Sequence, residues 1–218
     1  SQPSSQPTSQ PTGSGSSPSS AAAVTYNESS TAISNFPIEL YGDLLDRYLA
    51  DGNVDYAALK NEGGDDLETL VRAIAETDHA ELEKLRDAEY SAWYINAYNI
   101  LTLKTIVDAY PLDSILRDIN EPWDQPFTVA DQQLTLTQIE HDVLRLQNEP
   151  RHERVAFVDP RLHFAVNCAS IGCPVLQDEP FTGANLEELY EKGTREFAED
   201  PTRLRFEGDV LHISKLMD

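Results

Sequence analysis

Apolar residues recur along this chain at two spacings, and the spacing changes mark its elements. In FPIELYGDLLDRYLADG, Leu40, Leu44, Leu45 and Tyr48 return every three to four positions and predict an amphipathic helix that Asp51-Gly52 closes. A second helix is predicted from Asp66 to Ala75, with Leu67, Leu70, Val71 and Ile74 on one face, and the intervening VDYAAL is long enough to open another. From Glu89 to Tyr110 the polar face nearly vanishes. Trp93, Ala97, Ile100, Leu101, Leu103, Thr105, Ile106 and Val107 predict a central helix buried almost all round, stopped by Pro111. Asn96 and Asn99 stand three apart inside it, so their amides need partners, either in a structural network or on a ligand.

Beyond Pro122 the period shortens. FTVA and QLTL flank Asp131-Gln132 and predict a hairpin, after which Thr137 and Glu140 fit a capping box for a helix that turns Ile139, Val143 and Leu146 inward. RLHFAVNCAS alternates as a strand, Leu162, Phe164, Val166 and Cys168 on one side and His163, Ala165 and Asn167 on the other. A helix from Ala184 to Glu199 follows, with Leu186, Leu189, Tyr190 and Phe197 inward, then a hairpin of RLRF and VLHIS through Gly208-Asp209. The sum is an α+β fold: several helices around a buried central helix packed on a small, largely antiparallel sheet.

Composition divides the chain in two. Residues 1–20 contain only Ser, Gln, Pro, Thr and Gly, too little apolar surface to offset ordering entropy, so residues 1–30 are expected to form a disordered tether and 31–218 one globular domain. Sixteen basic against thirty-eight acidic residues give a net charge of −22, which repels phosphate backbones and argues against nucleic acid as a partner. The D-x-[DN]-x-[DN]-G calcium spacing does not occur, and no apolar run is long enough to span a bilayer. A Ser/Pro/Gln/Thr spacer ahead of a compact domain is typical after a cleaved signal or a lipid-bearing cysteine. The expected location is therefore secreted, periplasmic or envelope-anchored, with any lipid anchor outside the residues given.

The chemistry centres on Cys168 and Cys173 in NCASIGCP. Three readings stay open: a disulfide, half of a metal site, or a nucleophile with a bystander. A metal needs more ligands, and His79, His141, His152, His163 and His212 supply no H-x3–5-H pair, so neither metal nor cofactor is expected. As nucleophile, Cys168 needs an imidazole to ionise it, His163 or His141, with Glu140 to orient the ring. Asn96, Asn167 and Cys173 then become substrate contacts. Each has a plainer use: Glu140 in a helix cap, His141 and His163 as ordinary polar residues, and the cysteines as small hydrophobes or a structural pair.

Taken in order, DGNVDYAAL, AWYINAYNILTLKTI, LTLTQIEHDVLR and DPRLHFAVNCASIGCPVL, followed by an F-T-x-x-N-L helix start, resemble the domain-of-unknown-function 547 family from about Phe36 to the C-terminus. The resemblance implies an α+β domain related to papain-like cysteine hydrolases, with Cys168, His163 or His141, and Glu140 at the matching positions. Family members usually continue past LHISKLMD with another helical segment. The function this implies is a cysteine-dependent hydrolase or transferase acting on an amide or thioester of a small or peptide-like substrate. The rival is a non-catalytic envelope module with a structural Cys168/Cys173 pair and an acidic surface for a cationic or carbohydrate partner.

Overall fold

A computed structural model describes residues 36–145, 159–170 and 172–214. The proposed tether and Leu146 lie outside these residues. The centre is helix α5, Asp87–Ala109, on which fifteen residues are buried, Ile95, Ala97, Ile100 and Leu101 completely. At its start the Arg86 backbone N–H donates to Glu89 Oε2 at 3.1 Å, and the chain leaves its end through a cis Tyr110–Pro111 bond. Because α5 is apolar on every side, it must be covered on every side.

The N-terminal half supplies part of that cover. Helix α1 (Ile38–Tyr48) buries Tyr41, Leu44, Leu45 and Tyr48, while α2 (Tyr56–Glu62) and α3 (Gly64–Glu76) pack directly on α5. Strands β1 (Leu49–Ala50) and β2 (Asn53–Val54) pair antiparallel around Asp51 and Gly52, both at positive φ. A β-carbon on Gly52 would stand 2.9 Å from Val175 Cγ1, so this turn has no room for a side chain. Short helices α4 (His79–Leu82) and α6 (Ile115–Asp118) flank α5 in sequence and had no periodic signal.

The second half holds the remaining strands. β3 (Phe127–Val129) and β4 (Gln132–Leu134) form the hairpin expected around Asp131, and the Ala130 N–H donates to the Ile74 carbonyl of α3 at 3.0 Å. Helix α8 (Leu186–Glu199) buries Leu189, Tyr190 and Phe197, and β5 (Leu204–Glu207) pairs with β6 (Val210–Ile213). The α+β class holds, and among the described residues its antiparallel strands form three separate two-stranded ribbons.

Two local expectations are corrected. The capping box is Thr135 with Gln138: Thr135 Oγ1 accepts from the Gln138 N–H at 3.1 Å, and Gln138 Oε1 accepts from the Thr135 N–H at 2.9 Å. This opens α7 (Leu136–Gln138) and leaves Glu140 free of any cap. The predicted strand at 161–170 is a 3-10 helix, Pro160–Phe164, followed by irregular chain. Pro160 presets the first φ, Asp159 caps the Arg161 N–H at 2.9 Å, and Leu162, Ala165 and Val166 are the buried positions, a spacing of three rather than two.

Candidate functional site

Glu140 and His141 sit on a π-helical turn, Ile139–Leu144, that follows α7 directly. The Arg145 N–H closes it by donating to the Glu140 carbonyl at 3.1 Å, and this i→i+5 bond returns position 145 to the azimuth of position 140. The two side chains therefore meet. Arg145 Nη2 donates to Glu140 Oε1 through a short contact and lies 2.8 Å from His163 Nδ1, which the 3-10 helix presents. From α5, the Tyr98 phenol lies close enough to the Glu140 carboxylate to feel its charge. Burial and that carboxylate hold the Tyr98 phenol well above its ordinary range.

A guanidinium has no lone pair, so His163 Nδ1 must be the acceptor, and the neutral ring carries its proton on Nε2. Desolvation chiefly, then the Arg145 charge, lowers the His163 pKa; Glu140 opposes that and His141 adds to it. The ring is thus held neutral with its lone pair already engaged, a poor arrangement for taking a proton from a thiol. Two nitrogens nearby have no partner among the described residues: Arg145 Nε and His141 Nδ1, both buried.

The loop after the 3-10 helix carries the sulfurs. Cys168 and Cys173 are joined in a disulfide with their α-carbons 6.0 Å apart. Cys168 is half-buried with Sγ 3.6 Å from Ser170 Oγ, while Cys173 is buried. Among the described residues no hydrogen bond joins either sulfur to an imidazole. Asn167 shapes the loop: its Nδ2 donates to the Pro174 carbonyl at 2.7 Å and its Oδ1 accepts from the Ala169 N–H at 2.9 Å. Ala169 is left at φ +57°, uncommon for a residue with a β-carbon. Arg203 Nη1 donates to the Cys173 carbonyl, tying the turn before β5 to the loop.

Helix α5 fixes this loop through the two asparagines singled out in the sequence. Asn99 Nδ2 donates to the Ala165 carbonyl at 3.0 Å, and its Oδ1 accepts from the Asn167 N–H at 2.8 Å. Asn96 treats Phe181 the same way, at 2.7 Å and 2.9 Å. Both amides are buried and engaged with main chain at each end, which assigns them to the structural network. On the far side, a β-carbon at Gly193 of α8 would lie 2.7 Å from the Phe164 carbonyl oxygen, so glycine there lets the 3-10 helix settle on α8.

The structure therefore joins Glu140 and His163 through Arg145, a residue that sequence reasoning missed, with His141 near enough to His163 for their charges to interact. Five positions from Glu140, Arg145 falls on a different side of an ordinary α-helix, and only the i→i+5 turn joins them. Among the described residues no three His, Cys, Asp or Glu side chains are grouped to hold a metal ion.

Residues 82–198 match the model of a family described as "Protein of unknown function, DUF547". The chain belongs to this family. No curated protein and no solved structure matches it. The DUF547 segment takes in α5, the β3–β4 ribbon, the π turn, the 3-10 helix, the cysteine loop and nearly all of α8, so the Arg145 cluster and the disulfide both lie inside it. Helices α1 to α3 and the final ribbon lie outside. No helix among the described residues is long and apolar enough to cross a membrane.

Proposed function

We propose that this DUF547 domain is a non-catalytic binding module of an exported or envelope-anchored protein, with Cys168–Cys173 as a structural clasp and the Arg145 cluster as its ligand site. One observation carries the reading: the groups a thiol mechanism needs are already engaged. Both sulfurs are bonded to each other, and the His163 lone pair is held by Arg145. A disulfide persists in oxidising compartments, which agrees with a Ser/Pro/Gln/Thr spacer ahead of the domain.

The test is a thiol count on native protein purified without reductant, repeated in denaturant, with iodoacetamide labelling located by mass spectrometry. No free thiol in either condition is the expected result. Two free thiols, with Cys168 labelled rapidly and with a rate that rises along a single ionisation, would sink the proposal. That outcome would favour the hydrolase or transferase reading, with Cys168 as nucleophile, His163 or His141 as base and Glu140 as its orienter.

A further inference from the structure

We infer that Arg145 and His141 form an oxyanion subsite, which takes a carboxylate or phosphate group of a small ligand at the π turn; the inference rests on the binding-module reading and names its ligand chemistry. Arg145 is aimed by two acceptors, Glu140 and His163, that both use Nη2, and this fixes the plane of the guanidinium. Its Nε is buried without a partner, and so is Nδ1 of His141 four positions earlier. Leaving one buried donor unpaired is costly, and two on neighbouring side chains mark a place where an acceptor belongs.

The chemistry of that acceptor follows from the donors. Arg145 Nε can only donate, and His141 Nδ1 donates whenever it carries a proton. A ligand atom set that accepts from both without bringing a competing N–H or O–H is a carboxylate or a phosphate, and arginine suits such groups through its planar array of donors. Glu140, bound to Nη2, balances one positive charge of the guanidinium and leaves Nε to a further acceptor.

The same geometry makes binding depend on pH. Among the described residues, the charged and titratable groups around His163 are Arg145, Glu140 and His141, with Tyr98 of α5 close to Glu140. Arg145 and His141 disfavour the imidazolium, and an anion placed between them cancels part of that repulsion. Anion binding therefore raises the His163 pKa, and by linkage the anion binds more tightly on the acid side of the histidine range.

The experiment uses the full chain with its disulfide intact. Histidine ring resonances are followed by long-range ¹H–¹⁵N NMR while sodium acetate or sodium phosphate is added, with sodium chloride at matched ionic strength as control, at about pH 6 and about pH 8. Saturable movement of the His141 and His163 signals with acetate, phosphate or both is expected, tighter at the lower pH. The stronger of the two ions identifies the group. His141→Gln should weaken binding about fivefold and Arg145→Lys, which keeps the charge and removes Nε, about tenfold. Signals that stay still, or that move equally with chloride, mean an ordered water fills the space and overturn the subsite. Should Arg145→Lys fail to fold, His141→Gln decides alone, because His141 Nδ1 has no partner to lose. The thiol count is independent of these signals, so failure of the subsite and failure of the binding-module reading are read separately.

Discussion

Replacing Asn99 by alanine removes two hydrogen bonds at once, from the Ala165 carbonyl at 3.0 Å and from the Asn167 N–H at 2.8 Å. Asn99 is only 1% exposed, so water does not reach the gap readily. Stranding a buried polar group costs about 1–3 kcal/mol, and two such groups put the loss at about 2–6 kcal/mol, a large share of the stability of a domain this size. Asn99→Asp separates the two bonds. An ionised carboxylate still accepts from Asn167 but faces the Ala165 carbonyl oxygen with no proton to offer. Its pKa in the folded state therefore rises above the unfolded value of about 3.9. The acid form donates to Ala165, so Asn99→Asp should be most stable below that unfolded value and lose stability as pH rises through the raised folded value. Urea unfolding followed by tryptophan fluorescence measures both variants, with Asn53→Ala, an exposed residue at the start of β2, as control at about 0.5 kcal/mol or less. An Asn99→Ala loss as small as the control's would show that the loop holds its shape without α5.

Three further outcomes are expected. Glu140→Gln removes the neighbour that, among the described residues, favours the His163 imidazolium, so the His163 pKa should fall further, visible in an NMR titration, and the loss of the charge-assisted bond to Arg145 should cost about 1.5–3 kcal/mol. Because the folded state already depresses the His163 pKa, the unfolded chain binds more protons there. Stability from this group is therefore present above the unfolded value of about 6.5 and lost as pH falls through the lower folded value. Thermal melts should show that acid-side loss in the native chain and not in His163→Gln. Gly193→Ala drives a methyl against the Phe164 carbonyl and should cost about 1–3 kcal/mol in urea, whereas Gly64→Ala, with nothing within 4 Å, should be neutral or better.

The helices were legible because their cores repeat. Leu44, Leu45 and Tyr48 of α1, Leu67, Leu70 and Ile74 of α3, and Leu189, Tyr190 and Phe197 of α8 are all buried as their spacing requires, and α5 is apolar enough to need no period. The two outer hairpins were legible from their turns, Asp131 and Gly208 both standing at positive φ. What misled the reading of 161–170 was an accident of alternation. Pro160 and the Asp159 cap are local forces, and they outweigh a two-residue pattern with no neighbouring strand to pair with. Arg145 stayed hidden because a π turn has no sequence signature comparable to a heptad, and the shift of the capping box from Thr137 to Thr135 turned Glu140 from a backbone cap into an ion-pair partner.

The bridges from Asn96 and Asn99 span 85 and 66 positions, and they give the cysteine loop a shape it does not own. A synthetic peptide copying residues 159–181 would close the same sulfur ring and yet wander among conformers, since its anchoring amides stay behind on a helix from the first half of the chain. The loop is consequently not portable: any scaffold meant to display it must bring along a buried helix with two asparagines three residues apart.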